Sequence, residues 1–300
     1  MAEKFSFRFI RYKRTRDKSF SDTFNQVLAW KMRETLILNN GPIPLAPAGL
    51  DIAARLRGDM NRLKGEFYDL ELGKVDYGAM RLSEEYRQYT ANTALLRNFA
   101  LTELVQREEK LAFWINLYNT LVIHGIIELD IKESVREITG FFGRFSYEID
   151  GLTFTPNDIE HGILRGNRHP PHRLFRPFSG SDPRHSYIIY PPDPRIHFAL
   201  VCGSTSCPPI NFYQAEKIND QMDIAASGFI NGPEVEILPD SNLLRLSPIF
   251  KWYAPDFGGR KGIVDFLIKY RQAGKDRDFL NEYGMTADIE WKEYDWRLNG

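Results

Sequence analysis

The longest apolar run in the chain, Glu108–Leu129 (EEKLAFWINLYNTLVIHGIIEL), limits the fold more than any other stretch. Its periodicity predicts a helix on which Asn116, Asn119, Thr120, Ile123 and Ile127 share one stripe, with His124 at the flank. Two amides inside so apolar a helix are costly without partners. They either tie down the backbone of a loop or orient a side chain such as a catalytic imidazole. A chain of 300 residues, 43% of them hydrophobic, can surround such a helix with a sizeable core, as one large domain or two small ones.

Other elements follow from local signals. Residues 4–18 are basic, with Phe5, Phe7 and Phe9 alternating against polar neighbours, and read as an edge strand, a solvated tail or an arm for an acidic partner or membrane surface. Helical periodicity over 24–38 ends at Asn39-Asn40-Gly41-Pro42, and a Pro-rich linker follows. The expected division is therefore 1–48, an arm with a helix and linker, and 49–300, a single domain. Helices are predicted over 50–68, and from a Ser83 cap through 86–98. Tyr147–Phe154 reads as a hairpin around Asp150-Gly151, a type I′ turn sequence. Thr155-Pro156 opens a helix carrying Asp158, Glu160, His161 and Arg165, closed by Gly166. Residues 168–193, rich in Pro, Arg and His, read as a long loop, either decorative or a lid. Beyond 209, a helix over 218–229, a hairpin of 235–238 with 243–246, a short helix capped by Ser247, a helix over 262–270 and an aromatic surface-laid end complete the reading.

Chemistry concentrates in Arg195–Pro209 (RIHFALVCGSTSCPP), which holds both cysteines of the chain. Ile196–Val201 reads as a short apolar strand bounded by turn residues. Gly203–Ser206 then forms a small-residue loop whose amides can face a ligand. A thiol at such a junction feels the positive potential of nearby N–H groups, which favours the thiolate. On a regular strand His197 points away from Cys202, so Cys207, beyond the strand, is the better nucleophile. The fold class expected is α+β: a helical N-terminal half packed on an antiparallel or mixed sheet whose centre includes Ile196–Val201. Helices and strands do not alternate regularly and no Gly-rich phosphate loop is present, which excludes a doubly wound sheet.

Four segments, LAFWINLYNTLVIHGII, NDIEHGILRG, RIHFALVCGSTSCPP and IFKWYAPDFGG, occur in an order that resembles the domain of unknown function 547 family over roughly residues 75–270. The resemblance implies a distant likeness to papain-like and transglutaminase-like thiol hydrolases, and thus a core of that kind. The leucine-zipper and glutaredoxin-like roles of fused members are not implied, because this chain has no heptad run and no C-x-x-C pair.

Four readings of the cysteines remain open. In the catalytic one, Cys207 is the thiolate, His161 or His197 the base, Glu160 or Asn116 its orienting partner, and Gly203–Ser206 amides the oxyanion donors. A zinc site from His197, Cys202 and Cys207 fits the usual ligand spacing poorly. A Cys202–Cys207 disulfide is geometrically allowed but disfavoured in a reducing compartment. In the fourth reading both cysteines are structural. Two cysteines make no disulfide framework. No cofactor motif is present. The net charge of −1 gives no basic field for nucleic acid. No transmembrane-length run or secretory leader is visible, so a cytoplasmic protein is expected. The functional expectation is a hydrolase or acyl-transferase acting through Cys207 on a small-molecule or peptide substrate. The alternative is a non-catalytic scaffold that binds an acidic protein partner or a membrane surface.

Overall fold

The computed structural model describes residues 35–69, 71–171 and 173–300. The chain divides into two units, Met1–Thr35 and Leu36–Gly300, of which the second is described here. The basic arm and most of the helix expected over 24–38 lie outside the described residues. At the end of that span, Leu36–Ile37 is a short strand.

The apolar run forms the helix Arg107–Glu128, buried along most of its length. Glu109 closes its N-terminus by accepting hydrogen bonds from the N–H groups of Gln106 (2.8 Å) and Val105 (3.0 Å). Three helices flank it on the N-terminal side: Ile52–Phe67, Tyr77–Leu82 and Glu84–Thr93. Asp51 caps the first of these by accepting from the Ala54 N–H, and Ser83 caps the third by accepting from the Tyr86 N–H. Gly125 is where the central helix meets a strand. A Cβ there would lie 2.2 Å from the Phe145 ring, so only glycine lets the two elements touch.

That strand, Phe145–Ile149, pairs antiparallel with Leu152–Phe154 and parallel with Leu36–Ile37. Asp150 (φ 53°) and Gly151 (φ 72°) make the expected type I′ turn. Two strands, Tyr68–Asp69 and Lys74–Val75, form a separate antiparallel pair. In the third sheet Val235–Leu238 pairs antiparallel with Leu243–Leu246, which pairs parallel with Asp288–Trp291. The helices Ile218–Ile230, Pro248–Trp252, Ala254–Phe257, Gly259–Tyr270 and Lys275–Tyr283 accompany this sheet. Among the described residues the fold is thus mixed α+β with three small sheets. Among the described residues no helix is long and apolar enough to cross a membrane.

The predicted central strand does not exist. Pro194–Phe198 is a 3₁₀ turn, opened by Asp193, which accepts from the Arg195 N–H. The residues after it run as irregular buried backbone. Burial was read correctly and conformation was not. The helix amide Asn119 takes the place of a neighbouring strand: it donates to the carbonyls of Ala199 (2.9 Å) and Asn211 (3.3 Å) and accepts from the Val201 N–H (2.9 Å). The segment joins two apolar clusters, with Ile196 and Ala199 packed in the core around the central helix and Phe198 in the core of the third sheet. Replacing Asn119 by Leu leaves three buried backbone groups without their partner. We expect a loss of about 3 kcal/mol, read as a lowered urea midpoint with unchanged slope.

Candidate functional site

A cavity of about 370 Å³ lies between the central helix, the segment 157–173, the cysteine loop and the aromatic C-terminal segment. Its lining includes Glu160, His161, His197, Cys202 and Cys207, brought together from two separate stretches of sequence. Trp252, Tyr253, Tyr294 and Trp296 form an aromatic side. A larger cleft of about 870 Å³, lined by Tyr68, Tyr77, Arg81 and Asp130 among others, contains no cysteine or histidine, so size does not identify the site.

Glu160 and His161 sit on a helix that departs from expectation. Thr155 caps it as predicted: its hydroxyl accepts from the Asp158 N–H (3.1 Å), and Asp158 accepts from the Thr155 N–H (2.9 Å). Past that cap, Asp158–Leu164 is a π-helix, with Arg165 N–H donating to the Glu160 carbonyl and Asn167 N–H to that of Gly162. Such wide turns recur at functional sites. Asp158 meets Thr155 and Arg184. The carboxylate beside His161 is Glu160, at 3.5 Å. Glu160 accepts hydrogen bonds from Tyr253 OH (2.6 Å) and Tyr118 OH (3.2 Å).

The two imidazoles are held in opposite ways. Arg165 donates to Nδ1 of His161 (3.0 Å), which fixes that nitrogen as an acceptor and puts the ring proton on Nε2. His197 donates from Nε2 to Asp256 Oδ2 (2.9 Å), which leaves its Nδ1 as a proton acceptor. The His197 ring stacks on Tyr253 at 3.9 Å. Asp256 also accepts from Arg165 through both oxygens (2.5 and 3.1 Å) and from Arg168 (2.7 Å). Burial pushes His161 down to about 4 and lowers His197 as well, although Asp256 works against the latter shift. Both rings are therefore neutral at pH 7. Burial works to raise Asp256, but its bonds to His197 and Arg165 hold it well below the carboxylate range. Burial likewise opposes ionisation of Glu160. The Tyr253 hydrogen bond and the Arg165 charge favour it.

Cys202 and Cys207 are joined in a disulfide, with Cα atoms 6.3 Å apart. This corrects the expectation that Cys207 stands as a free thiol. The Cys202 N–H points at Cys207 Sγ (3.0 Å), and Tyr294 OH lies 3.3 Å from each sulfur. Among the described residues no hydrogen bond joins either sulfur to an imidazole. The loop between the cysteines also differs from its expected role. Gly203 (φ 81°) is needed less for ligand approach than for contact with the central helix, because a Cβ would lie 2.4 Å from Ile126. The Thr205 and Ser206 amides, expected as oxyanion donors, donate instead to the carbonyls of Arg297 and Asp295 in the C-terminal segment. That segment is laid along the loop, with Ser204 bridged to Leu298.

Asn116 is outside the cavity lining. Its amide donates to the Tyr213 carbonyl (2.8 Å) and accepts from the Tyr213 N–H (2.7 Å), which is the backbone-tethering alternative for this residue. The parity argument that separated His197 from Cys202 fails with the strand, since both line one cavity. Sequence reasoning missed Asp256, although it lies in the quoted segment IFKWYAPDFGG. It also missed the aromatic side. Pro170, Pro171 and Arg173 of the long 168–193 loop reach the rim.

Residues 102–230 match the family model described as Protein of unknown function, DUF547. The match holds Glu160, both site histidines and both cysteines, whereas Asp256, Trp252, Tyr294 and Trp296 lie beyond it. No curated protein and no solved structure matches the chain.

Proposed function

With residues 102–230 forming a DUF547 domain as the premise, we propose that the cavity is the site of a thiol-dependent hydrolase or acyl-transferase acting through Cys207 once the disulfide is reduced. The observation that carries this reading is that His197, hydrogen-bonded to Asp256, lines the same cavity as Cys207. An imidazole whose Nε2–H is held by a buried carboxylate has the tautomer a general base needs. His161 lacks it, because a cation donates to the nitrogen that would take the proton. His197 is thus the base and Asp256 its positioning residue. Glu160 and His161 shape the floor.

The chemistry closes without a cofactor. A dithiol reductant gives two electrons and two protons to the Cys202–Cys207 bond, ends as its own disulfide, and leaves both cysteines as thiols. His197 removes the Cys207 proton, a process assisted by the Cys202 N–H that points at the sulfur. The thiolate attacks an acyl carbon, the C–S bond forms, and the leaving group departs with the proton from His197. Water, or an acceptor amine or alcohol, then cleaves the thioester and restores the thiol.

The disulfide itself favours a second reading, in which it is a permanent staple of a non-catalytic interaction module. The two readings separate on thiol reactivity. In reduced Cys202→Ser protein, the pH profile of iodoacetamide alkylation should give Cys207 an apparent pKa below the ordinary value of about 8.5. It should return toward that value in His197→Ala. An ordinary pKa in both proteins sinks the catalytic reading.

A further inference from the structure

We propose that the loop tip Arg173-Leu174-Phe175-Arg176 docks on an anionic membrane surface. Leu174 and Phe175 are adjacent in sequence and 85% and 84% exposed, so neither packs on the protein. Single exposed apolar residues are ordinary, but two neighbours this exposed at one tip require a reason. Their flanks supply it. Arg173 and Arg176 bracket the pair and are themselves exposed, and from Arg168 to Ser181 the sequence holds no acidic residue.

Apolar side chains flanked by guanidinium groups match the layered chemistry of an anionic bilayer. Rings and aliphatic chains enter the acyl boundary while cations stay at the headgroups. The tip is anchored where it leaves the protein. Asn167 donates to the Phe178 carbonyl (3.0 Å) and accepts from the Phe178 N–H (3.0 Å), and Phe178 is buried. Arg168, at the start of the loop, is fixed on Asp256. The pair is therefore presented from a braced loop. Because Pro170, Pro171 and Arg173 also rim the cavity, a docked membrane lies beside its mouth. The inference concerns binding and holds whether or not Cys207 is catalytic.

The test is co-sedimentation of the full chain with phosphatidylcholine vesicles, with and without phosphatidylserine. The wild type should pellet with the anionic vesicles. Leu174→Ser/Phe175→Ser should lose at least about tenfold in partitioning, given the apolar area withdrawn. Arg176→Glu should lose the phosphatidylserine dependence. All three positions are exposed, so circular dichroism should show an unchanged fold. Three results overturn the proposal: no pelleting of the wild type, equal pelleting of the double serine variant, or equal binding of the wild type to neutral vesicles. The second would assign binding to the basic N-terminal arm.

Discussion

Acidification from pH 6.5 to 4.5 should cost the folded protein about 5 kcal/mol through two buried histidines. Burial pushes His124 from 6.5 to about 3, and His161 from 6.5 to about 4. Both shifts are depressions, so each ring stays neutral in the folded state over a range where the unfolded chain takes up a proton. The stability they contribute is complete above about pH 6.5. It is lost as pH falls, until each folded value is reached. Over two pH units each ring accounts for about 2–3 kcal/mol. The environment of His124 explains why it resists a charge. Tyr147 OH lies 2.8 Å from Nδ1, and Tyr86 and Tyr89 meet the ring edge-on. The Glu128 carboxylate is 3.9 Å from Nε2 and partly exposed. Urea midpoints measured from pH 7.5 to 4.5 should fall steadily in the wild type. His124→Gln should show a shallower slope, and a flat wild-type profile would refute the assignment.

Asp256→Ala should destabilise the protein by about 3–5 kcal/mol, more than any other single carboxylate substitution at the site. The Arg165 and Asp256 side chains are 3% and 2% exposed, and Arg168 and His197 share the same carboxylate. Removing the anion leaves the Arg165 guanidinium buried against His161, the His169 carbonyl and the Tyr253 ring (4.7 Å) without its paired carboxylate. A buried pair adds little net stability over an apolar replacement, but an abandoned buried charge is costly. Asp256→Asn keeps the volume and a hydrogen-bonding oxygen, and should recover part of the loss. Equal midpoints for Asp256→Ala and the wild type would mean that the cluster is more open to water than its burial indicates.

Legibility in the sequence followed the range of the interaction that decides each element. The helix Arg107–Glu128, the Asp150-Gly151 hairpin and the Ser83 and Thr155 caps were readable because their determinants lie within a few residues. Ile196–Val201 was misread because an apolar run reports burial but not period. The partner that satisfies its backbone, Asn119, is 82 residues away from Val201. The cavity was half legible. Cys207, His161, His197 and Glu160 share it, but the carboxylate that orients His197 comes from a separate helix. No spacing rule links positions 197 and 256. Asn116, whose amide suggested a role at an imidazole, serves the Tyr213 backbone instead.

The π-helix between the Thr155 cap and Gly166 makes chain length, as well as residue identity, a determinant of the site. Its wide turns accommodate more residues per turn than an α-helix would. At unchanged chain length, a return of 158–164 to α-helical pitch would turn everything beyond by about 100° relative to the cap. Arg165 would swing away from Asp256, and Glu160 and Arg165 would no longer serve the same pair of histidines. Residue count and helical pitch between the cap and Gly166 are therefore coupled, and a one-residue deletion there keeps the site in phase only if the wide turns are lost with it.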